Sequence, residues 1–206
     1  MKINFFLGQI SSLERLRTLT DGIYAIVATL LVLDLKAPEI PEATNATLIA
    51  DLFKQIPNFI AYFLSFFVIA SLWMRNHWVL NPINKCNETT FWLNLLHLLF
   101  LSLIPFTASL IGRYEQDPIA VILFSASLGL PGFALLLIHR YVIPRTDWYS
   151  ETTSRTWTSP NWWGAYPGPI FALASMLLAF VSIPAALGIW FLIPVWTLAF
   201  LHPQSP

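Results

Sequence analysis

The chain has 206 residues, 56% of them hydrophobic and only 11% charged, where soluble domains carry about 25% charged residues. Its formal net charge is zero, so it lacks the basic footprint of a nucleic-acid binder. The single cysteine, Cys86, excludes an intrachain disulfide and a multi-cysteine metal site. This composition describes an all-α integral membrane protein whose first partner is the lipid bilayer, and its size fits one domain over residues 1–206.

The first ten residues, MKINFFLGQI, are too short for the apolar region of a signal peptide and are expected to stay in the mature protein. Six apolar spans then follow on hydropathy. The first covers about residues 11–35. Arg15 and Arg17 stand near its start, Asp21 follows, and Asp34 and Lys36 close it. Between Asp21 and Asp34, Thr29 is the only polar side chain besides the hydroxyl of Tyr24. A lipid-facing span needs about 20 mostly apolar residues, and an intramembrane carboxylate is costly unless protein or water shelters it. The pattern predicts an inner helix that the other helices surround.

The linker 36–46 contains Pro38 and Pro41, and Thr44 or Asn45 can cap a new helix. Leu48, Ile49, Leu52, Phe53 and Ile56 then recur at helical spacing, an amphipathic prelude. The second span is 56–80, with Pro57 at its beginning. The third is 89–111, with Pro105 inside it, which buried helices tolerate when neighbours satisfy the freed carbonyl. The fourth is 118–142, with an interruption expected at Gly129–Gly132. A polar loop covers 144–161. The fifth span, 163–182, and the sixth, 184–201, are joined near Pro184 so tightly that an antiparallel hairpin is expected. No internal repeat is visible.

Lysine and arginine placement sets the orientation. With six spans, one side holds Lys2, Arg15, Arg17, Arg75, Lys85, Arg140, Arg145 and Arg155, and the other only Lys36, Lys54 and Arg113. Both termini are therefore expected in the cytoplasm. The outer side carries Asp34, Glu39, Glu42, Asp51, Glu115 and Asp117, which read either as solvated loop charges or as a cation-attracting mouth. Trp148, Trp157, Trp162 and Trp163 on the inner side read as interfacial anchors.

No enzyme signature is present: there is no metalloprotease, phosphate-loop or nucleophile-elbow motif. The four histidines are scattered, and no cofactor or resident metal is expected. The Thr-Val-Gly-Tyr-Gly potassium filter is also absent. At 100° per residue, Gly22, Ile26, Thr29 and Leu33 fall within an arc of about 60°. Such a stripe is either a helix–helix packing seam or, if several copies meet around an axis, a stack of rings with a hydrophobic constriction and a hydroxyl layer. Hydrophobic rings can gate by dewetting. A second constellation, Arg15 and Asp21 on the first helix with Trp73, Asn76 and His77 on the second, shares one membrane depth. It reads as a clamp between two helices or as part of a gate. Asn94 and His97 on the third span read as interhelical hydrogen bonds.

These residues resemble the transmembrane protein 175 potassium channels in their short prokaryotic form. The family's first-helix pattern stands here as Arg15, Leu19-Thr20-Asp21-Gly22, Ala25-Ile26, Thr29-Leu30-Leu31-Val32-Leu33 and Asp34. Leu19 replaces an aromatic residue and Thr20 a serine. Trp73, Asn76 and His77 match a Trp-x-x-His-His segment with Asn for the first His. Trp92-Leu93-Asn94-Leu95-Leu96 and Leu101-Ser102-Leu103-Ile104-Pro105-Phe106 match the third-helix pattern. The resemblance covers about the first 115 residues. It implies a six-helix fold without a re-entrant pore loop, in the plasma membrane of a prokaryote. It also implies a homotetramer in which four first helices line a central pore for monovalent cations, with K⁺ as the permeant ion. By the same resemblance Ile26 is the constriction, Thr29 the hydroxyl layer, Leu33 the next ring, with Gly22 on the same stripe and Asp34 at the outer mouth. Arg15, Asp21, His77 and Trp73 would form the network that holds the helix.

Overall fold

The computed structural model describes residues 13–41, 44–149 and 167–200, the last four by backbone alone. The helices are α1 (Leu13–Leu30), α2 (Asn45–Lys54), α3 (Ile56–Leu80), α4 (Glu88–Ser102), α5 (Ile104–Arg113), α6 (Pro118–Val142), α7 (Pro167–Leu178), α8 (Ile183–Gly188) and α9 (Leu192–Phe200). A 3₁₀ turn, Leu31–Asp34, extends α1. Short polar residues start the helices where the sequence offers them. Thr44 and Thr47 form a reciprocal capping box on α2, Asn87 accepts from the Thr90 N–H at 3.1 Å on α4, and Asp117 accepts from the Ile119 N–H at 2.8 Å on α6. Each cap satisfies a donor that the first helical turn leaves open. Pro57 sits in the first turn of α3, where a missing N–H costs nothing.

Among the described residues, four helical stretches are long and apolar enough to cross a membrane: Leu13–Asp34, Ile56–Leu80, Glu88–Arg113 and Pro118–Val142. The third is α4 and α5 together, divided at Leu103 just before Pro105. The last two expected spans are described only in part. In the fifth, α7 has 12 residues, which reach about 18 Å against a hydrocarbon core of about 30 Å. The remainder of that span, 163–166, lies outside the described residues, as do most of the 144–161 loop and Glu42. The sixth is divided into α8, a 3₁₀ turn at Ile189–Phe191 and α9. The tight connection before Pro184 is present: α8 begins at Ile183, with Ser182 as its cap.

The expected interruption in the fourth span is absent. α6 runs unbroken through Gly129–Gly132, with Pro131 inside it. The two glycines serve packing instead. A Cβ on Gly129 would stand 2.3 Å from the Ala172 Cβ, and one on Gly132 would stand 3.3 Å from Pro169 Cδ, so α7 lies directly on this face. Small residues permit that approach in lipid, where close packing rather than water exclusion holds helices together.

The hub of the bundle is α6, not α1. In α6, 61% of the most apolar stretch is buried, against 28% in α1. Phe124, Leu128, Leu135, Ile138 and Val142 of α6 are completely covered. The expectation of a first helix surrounded by its own chain is therefore corrected. Among the described residues, its partners cover one face. Three polar groups of the core are joined in one chain of hydrogen bonds. The Ser125 hydroxyl bonds to that of Ser175 at 2.7 Å, Ser175 donates to the Ala186 carbonyl at 2.7 Å, and the Trp190 indole reaches Ser125 at 3.4 Å. These bonds tie α6, α7, α8 and the following turn into one unit.

The α6–α7 contact is testable. Gly129→Ala should lower stability by about 1–3 kcal/mol through overpacking, read as thermal unfolding in detergent. Adding Ala172→Gly should recover most of the loss; an unchanged single variant would show that the helices do not approach this closely.

Candidate functional site

The first helix has two unlike faces. Leu16, Thr20, Tyr24, Val27 and Leu31 recur at helical spacing and are 2–3% exposed. The opposite face carries Arg15, Leu19, Gly22, Ile26, Thr29 and Leu33, which are exposed among the described residues. Ile26 is 58% and Leu33 68% exposed, and no atom lies within 4 Å of where a Gly22 Cβ would be. An open groove of about 670 Å³ runs along this face, lined by Arg15, Leu19, Gly22 and Ile26 among others. The four stripe residues thus share an uncovered surface. At the C-terminal end of α1 the 3₁₀ turn alters their register. Each 3₁₀ residue turns about 20° further than an α-helical one, so Leu33 is rotated relative to an ideal α-helical stripe while remaining exposed.

Thr29 has a defined geometry on this face. Its hydroxyl lies 2.9 Å from the Ala25 carbonyl and 2.9 Å from the Ile26 carbonyl, to which it donates. With its proton turned inward to the helix, the oxygen keeps lone pairs for the uncovered side. An exposed apolar side chain at Ile26 is thus followed, one turn on, by an acceptor. Asp34, half-buried, borders a second groove of about 360 Å³ with Lys36, Gln55, Asn58, Ser109 and Arg113.

The other face is held by three sets of side-chain bonds. The Trp73 indole donates to the Asp21 carboxylate at 2.8 Å, and the Trp73 ring lies 5.6 Å from that of His77. At the same level but turned toward the core, Asn94 donates to the Thr20 hydroxyl at 2.8 Å and accepts from the Asn76 amide at 3.1 Å. Thr20 in turn donates to its own Leu16 carbonyl at 2.7 Å. Outward of these, the Tyr24 hydroxyl meets His97 Nε2 at 2.6 Å, and His97 Nδ1 lies 2.8 Å from the Pro131 carbonyl. A carbonyl can only accept, so His97 carries its proton on Nδ1 and takes a hydrogen bond from Tyr24 at Nε2.

The five residues expected in one polar network are distributed differently. Asp21, Trp73 and His77 stand together, but the nitrogen of His77 bonds to Asn81 at 2.5 Å. Asn76 turns inward to Asn94. Arg15 lies on the groove face with Gly22 and Ile26. Asn94 and His97 are interhelical bonds, as their positions suggested. The sequence reading missed Tyr24 and Arg75. Arg75, counted with the inner-side charges, is only 4% exposed. The signal for Tyr24 was its place in the Leu16–Thr20–Tyr24–Val27–Leu31 repeat, opposite the stripe.

The uncovered stripe, the inward bonds and their spacing on α1, α3 and α4 all fall within residues 15–105. That same segment is matched by the family model described as the endosomal/lysosomal potassium channel TMEM175. Over this segment the chain is similar to the TMEM175 family. A potassium channel of Chryseobacterium sp. (strain P1-3) is 33% identical over 132 residues, 63% of this chain and 64% of that protein. The endosomal/lysosomal proton channel TMEM175 of Gallus gallus is 34% identical over 55% of this chain, but only 24% of the bird protein is covered. The chain thus spans less than two thirds of these relatives. A potassium channel of Chamaesiphon minutus is 23% identical over 90% of this chain and 93% of its own length. The crystal structure of a TMEM175 homolog from the same organism shares the fold, with a TM-score of 0.77 over 94% of this chain and 98% of that chain at 22% identity. These TMEM175 relatives are named as ion channels, not enzymes.

The Tyr24–His97 bond yields a prediction. Tyr24→Phe and His97→Leu, taken singly and together through a double-mutant cycle in mixed micelles, should show a coupling of about 0.6–1.7 kcal/mol. Strictly additive losses would mean that the two side chains do not depend on each other.

Proposed function

We propose that the protein is a potassium-permeable cation channel: a homotetramer in which four copies of α1 place their uncovered stripes around one axis. The observation that carries this reading is the exposed stripe Gly22–Ile26–Thr29–Leu33, lying opposite a face fixed by hydrogen bonds to α3, α4 and α6. Around an axis, Ile26 forms the dry constriction, Thr29 presents acceptor oxygens to a cation shedding water, Leu33 adds a second apolar ring, and Gly22 widens the inner approach. Asp34 lies at the outer mouth, where a carboxylate raises the local cation concentration. Conduction is passive, and closure follows from narrowing the Ile26 ring until water leaves it. The rest of the expected fold belongs to this reading: six membrane crossings, no re-entrant loop, and both termini on the cytoplasmic side of a prokaryotic plasma membrane.

Two features favour K⁺ over protons as the permeant ion. The bacterial relatives are named potassium channels, and the stripe between Asp21 and Asp34 holds no titratable side chain, Tyr24 being turned into the core. The alternative of a secondary ion transporter already lacked an inverted repeat in the sequence, and a break at Gly129–Gly132, which would favour it, is not present in α6.

Purified protein reconstituted in liposomes should pass K⁺ down its gradient without a proton or Na⁺ gradient, and Ile26→Asn should weaken discrimination against Na⁺ several-fold. Flux strictly coupled to another ion would overturn the channel reading. Selectivity unchanged in Ile26→Asn would remove Ile26 from the filter.

A further inference from the structure

Arg17 is two residues from Arg15 but points the other way, and its surroundings are unusual for a cation. Its guanidinium donates from Nη2 to three backbone carbonyls: that of Leu80, that of Asn81 at 3.1 Å and that of Ile83 at 2.9 Å. Its Nε is buried without a hydrogen-bond partner. The three acceptors are the end of α3 and the residues just beyond it. A helix leaves its last carbonyls unpaired and its C-terminus partly negative, so this is a place where a cation is favoured.

The acceptors are themselves fixed. Ile83 is completely buried with Leu13, Leu80, Leu135, Ile138 and Val142 in a small cluster at the base of α6. Ile83 pairs with Tyr149 in an isolated antiparallel bridge, and the Asn84 N–H donates to the Trp148 carbonyl at 2.7 Å. Cys86, half-buried at the same place, has its thiol pKa pushed up by burial, with Arg17 opposing the shift. Arg17 therefore fastens the first turns of α1 to a platform made by the ends of α3 and α6 and by the short segment after α6. The Thr20 and Tyr24 bonds hold the same helix farther out.

We infer that Arg17 is a positioning residue for the pore helix: it pins the inner end of α1 to this platform, so that without it α1 pivots about its Thr20 and Tyr24 attachments. This rests on the proposed channel function only for its effect on flux; the pinning itself does not. The Ile26 ring lies beyond the pivot from Arg17, so the inference assigns Arg17 to the opening rate and not to ion choice.

The test uses the full chain in nanodiscs, with Cys86→Ser and a spin label at Glu14→Cys. Arg17→Gln, which removes the charge and most of the donors, should increase the label's mobility and broaden its distance distribution between subunits. In liposomes the same change should alter the K⁺ flux rate at least threefold with the K⁺/Na⁺ ratio unchanged, and Arg17→Lys should restore part of both effects. Thermal unfolding of each variant separates pinning from general destabilisation, because mobility that came only from destabilisation would fall again when added lipid stabilises the protein, whereas loss of the Arg17 bonds would persist. An unchanged label signal in Arg17→Gln would overturn the inference, whatever the flux. If the wild-type protein passes no K⁺ at all, the channel reading fails, and the label mobility still decides the pinning.

Discussion

Within a bilayer there is no water to satisfy a hydroxyl, amide or imidazole, so each such group buried between helices must meet another. Thr20, Tyr24, Asn76, Asn94 and His97 do so pairwise, with Pro131 supplying a backbone acceptor from the middle of α6. These bonds fix more than stability. Each allows only one rotation of α1 about its axis, because a turn of even one residue would carry Thr20 and Tyr24 away from their partners. With the rotation set, Gly22, Ile26, Thr29 and Leu33 have no choice but to face away from the rest of the chain.

An uncovered apolar face is ordinary in a membrane protein, since lipid can cover it. The exposed Leu173, Leu177 and Val195 of the α7–α9 region need no other explanation. The α1 face differs in chemistry. It runs from Arg15 through a glycine and a back-bonded threonine to Asp34, and neither Arg15 nor Asp34 is suited to meet hydrocarbon. That mixture is better matched to a shared aqueous path than to acyl chains. The account of function grows from this contrast between the bonded and the uncovered faces.

Much of this was legible beforehand. The 3.6-residue period gave the Gly22–Ile26–Thr29–Leu33 stripe of α1, the proline and Thr44 positions gave the start of α2 and α3, and Asn94 and His97 stood out as polar groups needing partners. What was not legible depends on distances between helices. The charge pattern of α1 suggested enclosure by its own chain, whereas the centre is α6. Glycine and proline at 129–132 resembled a break, yet the same small residues admit α7 at close range, and the neighbouring helices keep α6 intact. Arg15 and Arg17 look alike in sequence. Two residues on a helix are separated by about 200°, so one lies in the groove and the other reaches the end of α3. Arg75 counted as a peripheral charge until packing placed it in the core.

The claim at the centre is that copies of α1 face one another through the stripe. Disulfide trapping in membranes addresses it directly. In a Cys86→Ser background, Ile26→Cys should cross-link to its counterpart in a neighbouring copy under mild oxidation, while Leu177→Cys, on the exposed face of α7, should remain monomeric. Cross-linking at Leu177 with none at Ile26 would contradict the account, because the stripe would then face something other than itself.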